Sequence, residues 1–226
     1  MTRGILIAGN ESSLFYALSA EAAKRVESFA VALIPNRFPF PAAEGAAASV
    51  GVPTGSIALQ WNPASPISAR TLTLAAENRL GRIDDALLVC SPPAVYRSAE
   101  TLIPAEVETL VNDHVKGWFF LVRELALVFR SRQKGTLTMA VPDLAGGGGR
   151  DSSADLLGPP AAAAFRAFAQ GLLSSSASEP FQTLGFSSSE PGQETGFAAW
   201  LFRILDDAGK KNSGKWHKYS RLSFFK

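Results

Sequence analysis

Cys90 and His114 are the residues of this chain whose types are best suited to catalysis. The chain has one cysteine and two histidines. A cysteine–histidine pair forms a nucleophile when the side chains touch and a third group orients the histidine. The plainer interpretation is also open: Cys90 is then a buried strand thiol, and His114 is a helix histidine that bonds to the backbone.

Other common chemical motifs are missing from the sequence. A single cysteine and two distant histidines do not supply a tetrahedral zinc site, so we expect no metal. The chain has no Gly-x-Ser-x-Gly motif and no P-loop. It has neither Gly-x-Gly-x-x-Gly nor Gly-x-x-x-Gly-x-Gly, and the four glycines at 146–149 complete neither pattern.

Composition is that of an ordinary globular protein. The 226 residues are 46% hydrophobic and 19% charged, with a net charge of +2 that gives no reason to expect an acidic partner. One cysteine cannot form an internal disulfide. No apolar run approaches the roughly 20 residues that span a bilayer. We therefore expect a cytoplasmic protein without membrane contact.

The elements that must position these residues alternate between strands and helices. Short, continuous apolar runs such as 5–8 and 86–90 are typical of strands buried on both faces. The predicted strands are 4–9, 29–34, 56–59, 86–90, 137–141, 181–186 and 220–225. The first predicted helix begins after Asn10 or Ser12, and the later ones cover about 67–78, 104–132, 159–174 and 194–208. This alternation predicts parallel strands joined by right-handed crossovers.

Four segments, in this order and at this spacing, carry a resemblance to a known family. They are Gly-Arg-Ile-Asp-Asp-Ala-Leu-Leu-Val at 81–89, His-Val-Lys-Gly-Trp-Phe-Phe at 114–120, Gly-Thr-Leu-Thr-Met at 135–139 and Asn-Ser-Gly-Lys at 212–215. The chain thereby resembles the short-chain dehydrogenase/reductase family over nearly its whole length. The resemblance implies a three-layer α/β/α Rossmann-type doubly wound sheet, mostly parallel, of about seven strands. It also implies one domain over 1–226, with a flexible Gly-rich loop at about 143–157.

The cofactor loop of the family is only partly kept. The family pattern Thr-Gly-x-x-x-Gly-x-Gly brings the backbone close to a pyrophosphate at a helix N-terminus. Here Gly9 remains, while Ser13 and Phe15 replace the other glycines, and Glu11 adds a negative charge. The resemblance places the degenerate cleft at Gly9, Asn10, Ser12, Ser13, Leu14, Asn36, Arg37, Cys90 and Ser91. From these changes, and from the prolines at 92–93, we expect no bound cofactor.

The catalytic positions of the family are also changed. Aligning the chain with the family puts Pro142 at the active-site serine, Gly158 at the tyrosine and Ala162 at the lysine, and it puts His114 at a helix asparagine. No tyrosine of this chain is followed four residues later by lysine. We therefore predict a catalytically degenerate relative that acts as a binding or assembly protein. The alternative is an NAD(P)-dependent oxidoreductase with an atypical active site, using NAD or NADP and His114 as a possible proton donor.

The long apolar helix at 104–132 indicates assembly. It is apolar on too many sides for a helix with one solvent face. The alanine-rich helix at 159–174 would allow close packing, and in the family these two helices form a dimer interface. We expect a homodimer or homotetramer through these helices. The basic, aromatic C-terminal stretch makes nucleic acid conceivable, but its aromatics are more in keeping with a packed final strand, so nucleic acid is not expected.

Overall fold

Seven parallel strands form one sheet with helices on both faces. The computed structural model describes residues 3–25, 28–34, 55–96, 98–142, 155–207 and 212–220. The strands are β1 (Gly4–Asn10), β2 (Ser28–Ile34), β3 (Ile57–Gln60), β4 (Asp85–Val89), β5 (Thr136–Pro142), β6 (Gln182–Ser188) and β7 (Lys215–Tyr219). Their order across the sheet is β3-β2-β1-β4-β5-β6-β7. The predicted doubly wound α/β fold is confirmed.

The helices form the two outer layers of the fold. They are α1 (Ser13–Lys24), α2 (Pro66–Leu80), α3 (Pro104–Val111), α4 (Gly117–Arg132), α5 (Gly158–Ser175) and α6 (Glu194–Asp206). One buried cluster joins the sheet to α2, α4 and α5, and a second joins it to α1 and α6. Alternate residues of one strand serve the two clusters, so that Leu6 faces the first and Ile7 the second. A strand buried on both faces must be apolar throughout, as β1 is.

The helix predicted at 104–132 is interrupted. A π-helical turn at Asn112–Lys116 separates α3 from α4. Gly117 follows it against Pro63, where an added Cβ would overlap the proline ring. Single π turns inside helices are often found at functional sites. The interruption therefore directs attention to His114, which lies within it.

The last strand lies earlier than expected. β7 covers Lys215–Tyr219 and pairs with β6, whereas the sequence predicted a strand at 220–225. Residues 221–226 lie outside the described part of the chain. β7 is an edge strand, in which Lys215 and Lys218 are exposed and Trp216 and His217 between them are half-buried. Such a strand does not appear in the sequence as a continuous apolar run.

Candidate functional site at the carboxyl ends of the strands

β2 and β3 lie on one side of β1, and β4 to β7 lie on the other, so the order in which strands are added to the sheet reverses between β1 and β4. In open α/β sheets, ligands bind in the crevice outside the carboxyl ends of the strands at such a switch point. At this crevice the Ser91 N–H donates to Asn10 Oδ1 at 3.3 Å, and the Cys90 N–H donates to Ala140 O at 3.0 Å. These bonds fix the loop that follows β4 against its neighbours.

Gly9 and Phe15 shape the turn from β1 into α1. A Cβ on Gly9 would lie 2.6 Å from Val89 O and 3.0 Å from Phe15 Cδ2, so only glycine fits. The Phe15 ring is 0% exposed and belongs to the cluster between α1 and the sheet. Its side chain therefore points into the core and away from the crevice.

The head of α1 offers hydrogen-bond donors at the crevice. Ser12 caps the helix, and its Oγ accepts from the Phe15 N–H at 3.1 Å. The Tyr16 N–H donates to Ser12 O at 3.0 Å. Within the described residues, the N–H groups of Ser13 and Leu14 have no protein acceptor. Free N–H groups at a helix N-terminus, together with the helix dipole, attract anions such as phosphate.

Glu11 is the feature least suited to an anion at this place. It is exposed, and its Oε1 accepts from the Tyr16 hydroxyl at 2.6 Å. Burial and this bond to Glu11 raise the pKa of Tyr16 to about 12. The bond directs the carboxylate toward Tyr16, one turn along the helix.

Cys90 and His114 are both buried. Cys90 is 0% exposed within the cluster that contains Trp118, and burial raises the pKa of its thiol. His114 is 2% exposed, and its Nδ1 has no hydrogen-bond partner. Burial lowers the pKa of His114 to about 4, so the ring is neutral at pH 7. Neither residue has the exposure or the charge state of an activated cysteine–histidine pair.

The three positions that align with the catalytic serine, tyrosine and lysine of the family lie at the end of β5 and the start of α5. Pro142 is the last residue of β5 and stands opposite Ser188 of β6. Gly158 is the first residue of α5, and the buried Ala162 lies one turn later. None of these side chains has a titratable group. Asn36 and Arg37, and residues 143–154 of the expected Gly-rich loop, lie outside the described residues.

Asp155 is a polar residue before α5 that the sequence did not single out. Its Oδ1 accepts three backbone N–H groups: from Val95 at 3.2 Å, from Leu157 at 3.1 Å and from Gly158 at 2.9 Å. Tyr96, in the segment after β4, pairs with Asp155 in an antiparallel bridge. The local signal was an aspartate three residues before the first residue of a helix. The bond to Val95 could not have been predicted from it.

The aromatic residues of β7 pack at the edge of the sheet. The rings of Phe186 and His217 stack with centroids 5.1 Å apart, and Trp216 Nε1 donates to Ser187 Oγ at 3.1 Å. Among the described residues, no group of three potential metal-ligating side chains is present. No helix in the described ranges is both long enough and apolar enough to cross a membrane.

Comparisons with known proteins show the fold. No protein-family model and no curated protein matches the sequence. Among solved structures, a 3-ketoacyl-(acyl-carrier-protein) reductase from Brucella melitensis complexed with NADH matches with a TM-score of 0.72 and 13% identity, covering 96% of each chain. A short chain dehydrogenase from Bacillus anthracis has a TM-score of 0.73 and 12% identity, covering 96% of this chain and 95% of its own. The NADH-dependent reductase A1-R′ complexed with NAD has a TM-score of 0.70 and 13% identity, covering 96% of this chain and 95% of its own.

Two predictions from the sequence are wrong in the light of these structures. We predicted a non-catalytic binding or assembly protein and expected no cofactor. The similar structures are of dehydrogenases and reductases, and two of them contain NADH or NAD. The physical reason for the error is that Phe15 faces the core, so that losing a glycine there does not by itself fill the crevice.

Proposed function

We propose that this protein is an NAD(P)-dependent oxidoreductase with an atypical active site. The observation that carries the proposal is the head of α1 at the β1–β4 switch point. There, Gly9 allows close packing, and the N–H groups of Ser13 and Leu14 have no protein acceptor among the residues that the structure describes. The similar structures that contain NADH or NAD support the proposal because they share this sheet and these helices.

The residues at the crevice suit the phosphates of a dinucleotide. The N–H groups of Ser13 and Leu14 would donate to the pyrophosphate, with the Ser12 cap holding the helix start. When bound, the dinucleotide supplies or accepts a hydride. The protein positions the dinucleotide, since the bond between Asn10 and Ser91 holds the two sides of the crevice together. It also supplies the proton.

His114 remains the proton donor suggested by the sequence. It lies in the π turn between α3 and α4, and this turn packs against α5. The neutral ring carries one proton at pH 7. Because the side chain is 2% exposed, His114 would act from the interior, through a group that reaches it.

Calorimetric titration of NADH and NADPH into the protein tests the proposal. We expect saturable binding that Ser13→Asp weakens by about tenfold or more, because the new carboxylate stands at the helix head that receives phosphate. Ser178→Asp is the matched control. Ser178 is exposed and precedes β6, at the amino ends of the strands and away from the crevice. If neither dinucleotide binds, or if both variants weaken binding equally, the proposal fails.

We also propose a cytoplasmic homodimer or homotetramer that uses the α4–α5 face. Phe119 and Leu127 of α4 are 51% and 50% exposed. The Phe119 ring lies 4.1 Å from that of Phe168 on α5, so the two helices share one apolar surface. A second copy of this surface would remove these rings from water.

A further inference from the structure

Asp155 and Pro93 bring two oxygen atoms close to one point beside Gly158, the first residue of α5. A Cβ built on Gly158 would overlap Asp155 Oδ2 and would lie 3.2 Å from Pro93 O. A carboxylate oxygen and a peptide carbonyl oxygen both accept hydrogen bonds. Because glycine has no side chain, the space between these two oxygens is left to a hydrogen-bond donor. Asp155 Oδ2 and Pro93 O are called the acceptor pair below.

Neither oxygen of the acceptor pair has a partner in the part of the chain that the structure describes. Asp155 Oδ1 accepts three backbone N–H groups, whereas Oδ2 takes part in no hydrogen bond or ion pair within these ranges. Pro93 O accepts no backbone N–H among the same residues. Both residues are half-buried. A carboxylate oxygen that is partly withdrawn from water and has no partner is suited to a cationic donor.

The surrounding backbone holds the acceptor pair in place. The N–H groups bonded to Asp155 Oδ1 come from Val95, in the segment after β4, and from Leu157 and Gly158 at the start of α5. They fix the orientation of the carboxylate and leave Oδ2 as its open oxygen. The proline ring restricts the backbone at Pro93. A site that is rigid before a ligand arrives loses little conformational freedom on binding.

The segment that carries Pro93 also lines the crevice at the β1–β4 switch point. Two residues before Pro93, the Ser91 N–H donates to Asn10 Oδ1 at 3.3 Å. Two residues of extended chain span about 7 Å. A small molecule bound beside Gly158 therefore lies next to the crevice that we assign to the dinucleotide.

We propose that the acceptor pair binds the ammonium group of the substrate, which is a primary amine. The inference rests on the proposed function, because it names the substrate class of the same crevice. An ammonium group carries a positive charge and three N–H donors, which is enough for both oxygens. Val95 and Leu157, whose N–H groups bond to Asp155, belong to a small buried apolar cluster. This cluster suits a hydrocarbon group next to the amine.

An amino alcohol is a substrate that combines this group with the proposed hydride transfer. Its carbinol C–H bond breaks, and the hydride goes to the oxidised dinucleotide. Its O–H bond breaks, the proton goes to water, and a C=O bond forms. The amino alcohol is oxidised to an amino ketone, and the dinucleotide is reduced. The ammonium group is unchanged, so Asp155 binds the substrate and takes no part in the proton transfer.

Calorimetric titration of benzylamine and benzyl alcohol tests the acceptor pair without turnover. The two probes have similar shape, but only the amine carries a charge and three donors. We expect benzylamine to bind the wild-type protein about tenfold or more tightly than benzyl alcohol does. Asp155→Asn should remove this difference, because it keeps an Oδ1 that can accept the three N–H groups and replaces Oδ2 with an NH₂ donor.

Asp207→Asn is the matched control for this substitution. Asp207 is exposed at the end of α6, away from the carboxyl ends of the strands. The variant loses one negative charge, as Asp155→Asn does, and should keep the full preference for benzylamine. An equal loss of preference in both variants would mean that the amine responds only to the overall charge of the protein.

Steady-state kinetics test the substrate class. We expect 2-amino-1-phenylethanol to be oxidised with NAD or NADP at a higher kcat/KM than 1-phenylethanol, as followed by the fluorescence of the reduced dinucleotide. Asp155→Asn should raise KM for the amino alcohol by about tenfold and change kcat little, because the ammonium contacts are the same in the bound substrate and in the transition state. General damage to the fold would instead lower kcat for both alcohols.

The outcomes separate the two proposals. Benzylamine that binds no more tightly than benzyl alcohol, or a preference that survives Asp155→Asn, overturns the acceptor pair. A wild-type protein that binds benzylamine but neither dinucleotide overturns the proposed function, and the role of the amine as substrate falls with it. If a dinucleotide binds and 1-phenylethanol is the better substrate, only the substrate class is overturned.

Discussion

Acidification should destabilise the native protein through His114. The side chain is 2% exposed, and burial lowers its pKa from 6.5 to about 4. Between these two pH values the unfolded chain binds a proton at His114 that the native protein does not bind. The free energy of unfolding therefore keeps the full contribution of neutral His114 above pH 6.5 and loses it as the pH falls toward 4. The difference between the two pKa values corresponds to about 3 kcal/mol.

Urea denaturation between pH 7.5 and 4 measures this effect when wild type is compared with His114→Phe. The variant keeps a ring of similar size and has no proton to bind. Groups that both proteins share cancel in the difference: His217, whose pKa is lowered by burial, and Glu179, whose pKa is lowered by its hydrogen bond to Arg130. We expect wild type to lose about 3 kcal/mol relative to the variant over this range.

A difference between the two proteins that stays constant with pH would refute this reasoning. It would mean that His114 is protonated equally in the native and unfolded states. NMR titration of the His114 ring in the wild-type protein checks the same point without a variant. A midpoint near 6.5 in the folded protein would contradict the burial that the structure shows.

Four further substitutions test the crevice and the assembly. Gly9→Ala should destabilise the protein by about 1–3 kcal/mol in chemical denaturation, because its Cβ would lie 2.6 Å from Val89 O; unchanged stability would contradict this close packing. Glu11→Gln should raise NADH affinity several-fold in calorimetry, because it removes a negative charge near the head of α1; unchanged affinity would place the phosphates elsewhere. Phe119→Glu and Leu127→Glu should each shift the protein to a 24.0 kDa species in light scattering, and a wild-type protein that is already monomeric at micromolar concentration would refute the interface.

Much of the fold could be predicted because the central strands are buried on both faces. β1 and β4 are fully buried along their length, and such strands show in the sequence as apolar runs. The turn at Gly9 also follows from local sequence, which left Asn10 and Ser12 as the two candidate caps of α1, and the structure assigns the cap to Ser12. Edge strand β7 could not be placed in the same way, because only one of its sides pairs with the sheet and its residues form no continuous apolar run.

The sequence by itself determined the order of strands and helices, the turn from β1 into α1 and the lack of a Tyr-x-x-x-Lys motif. Only the tertiary structure decided which way Phe15 points, how deeply His114 is buried and which segment pairs with Asp155. The first set depends on residues that are near one another in the chain, where burial and capping leave a regular pattern. The second depends on contacts between distant segments: a ring turns into the core, and the segment after β4 pairs with the one before α5, only after the sheet has brought their strands side by side.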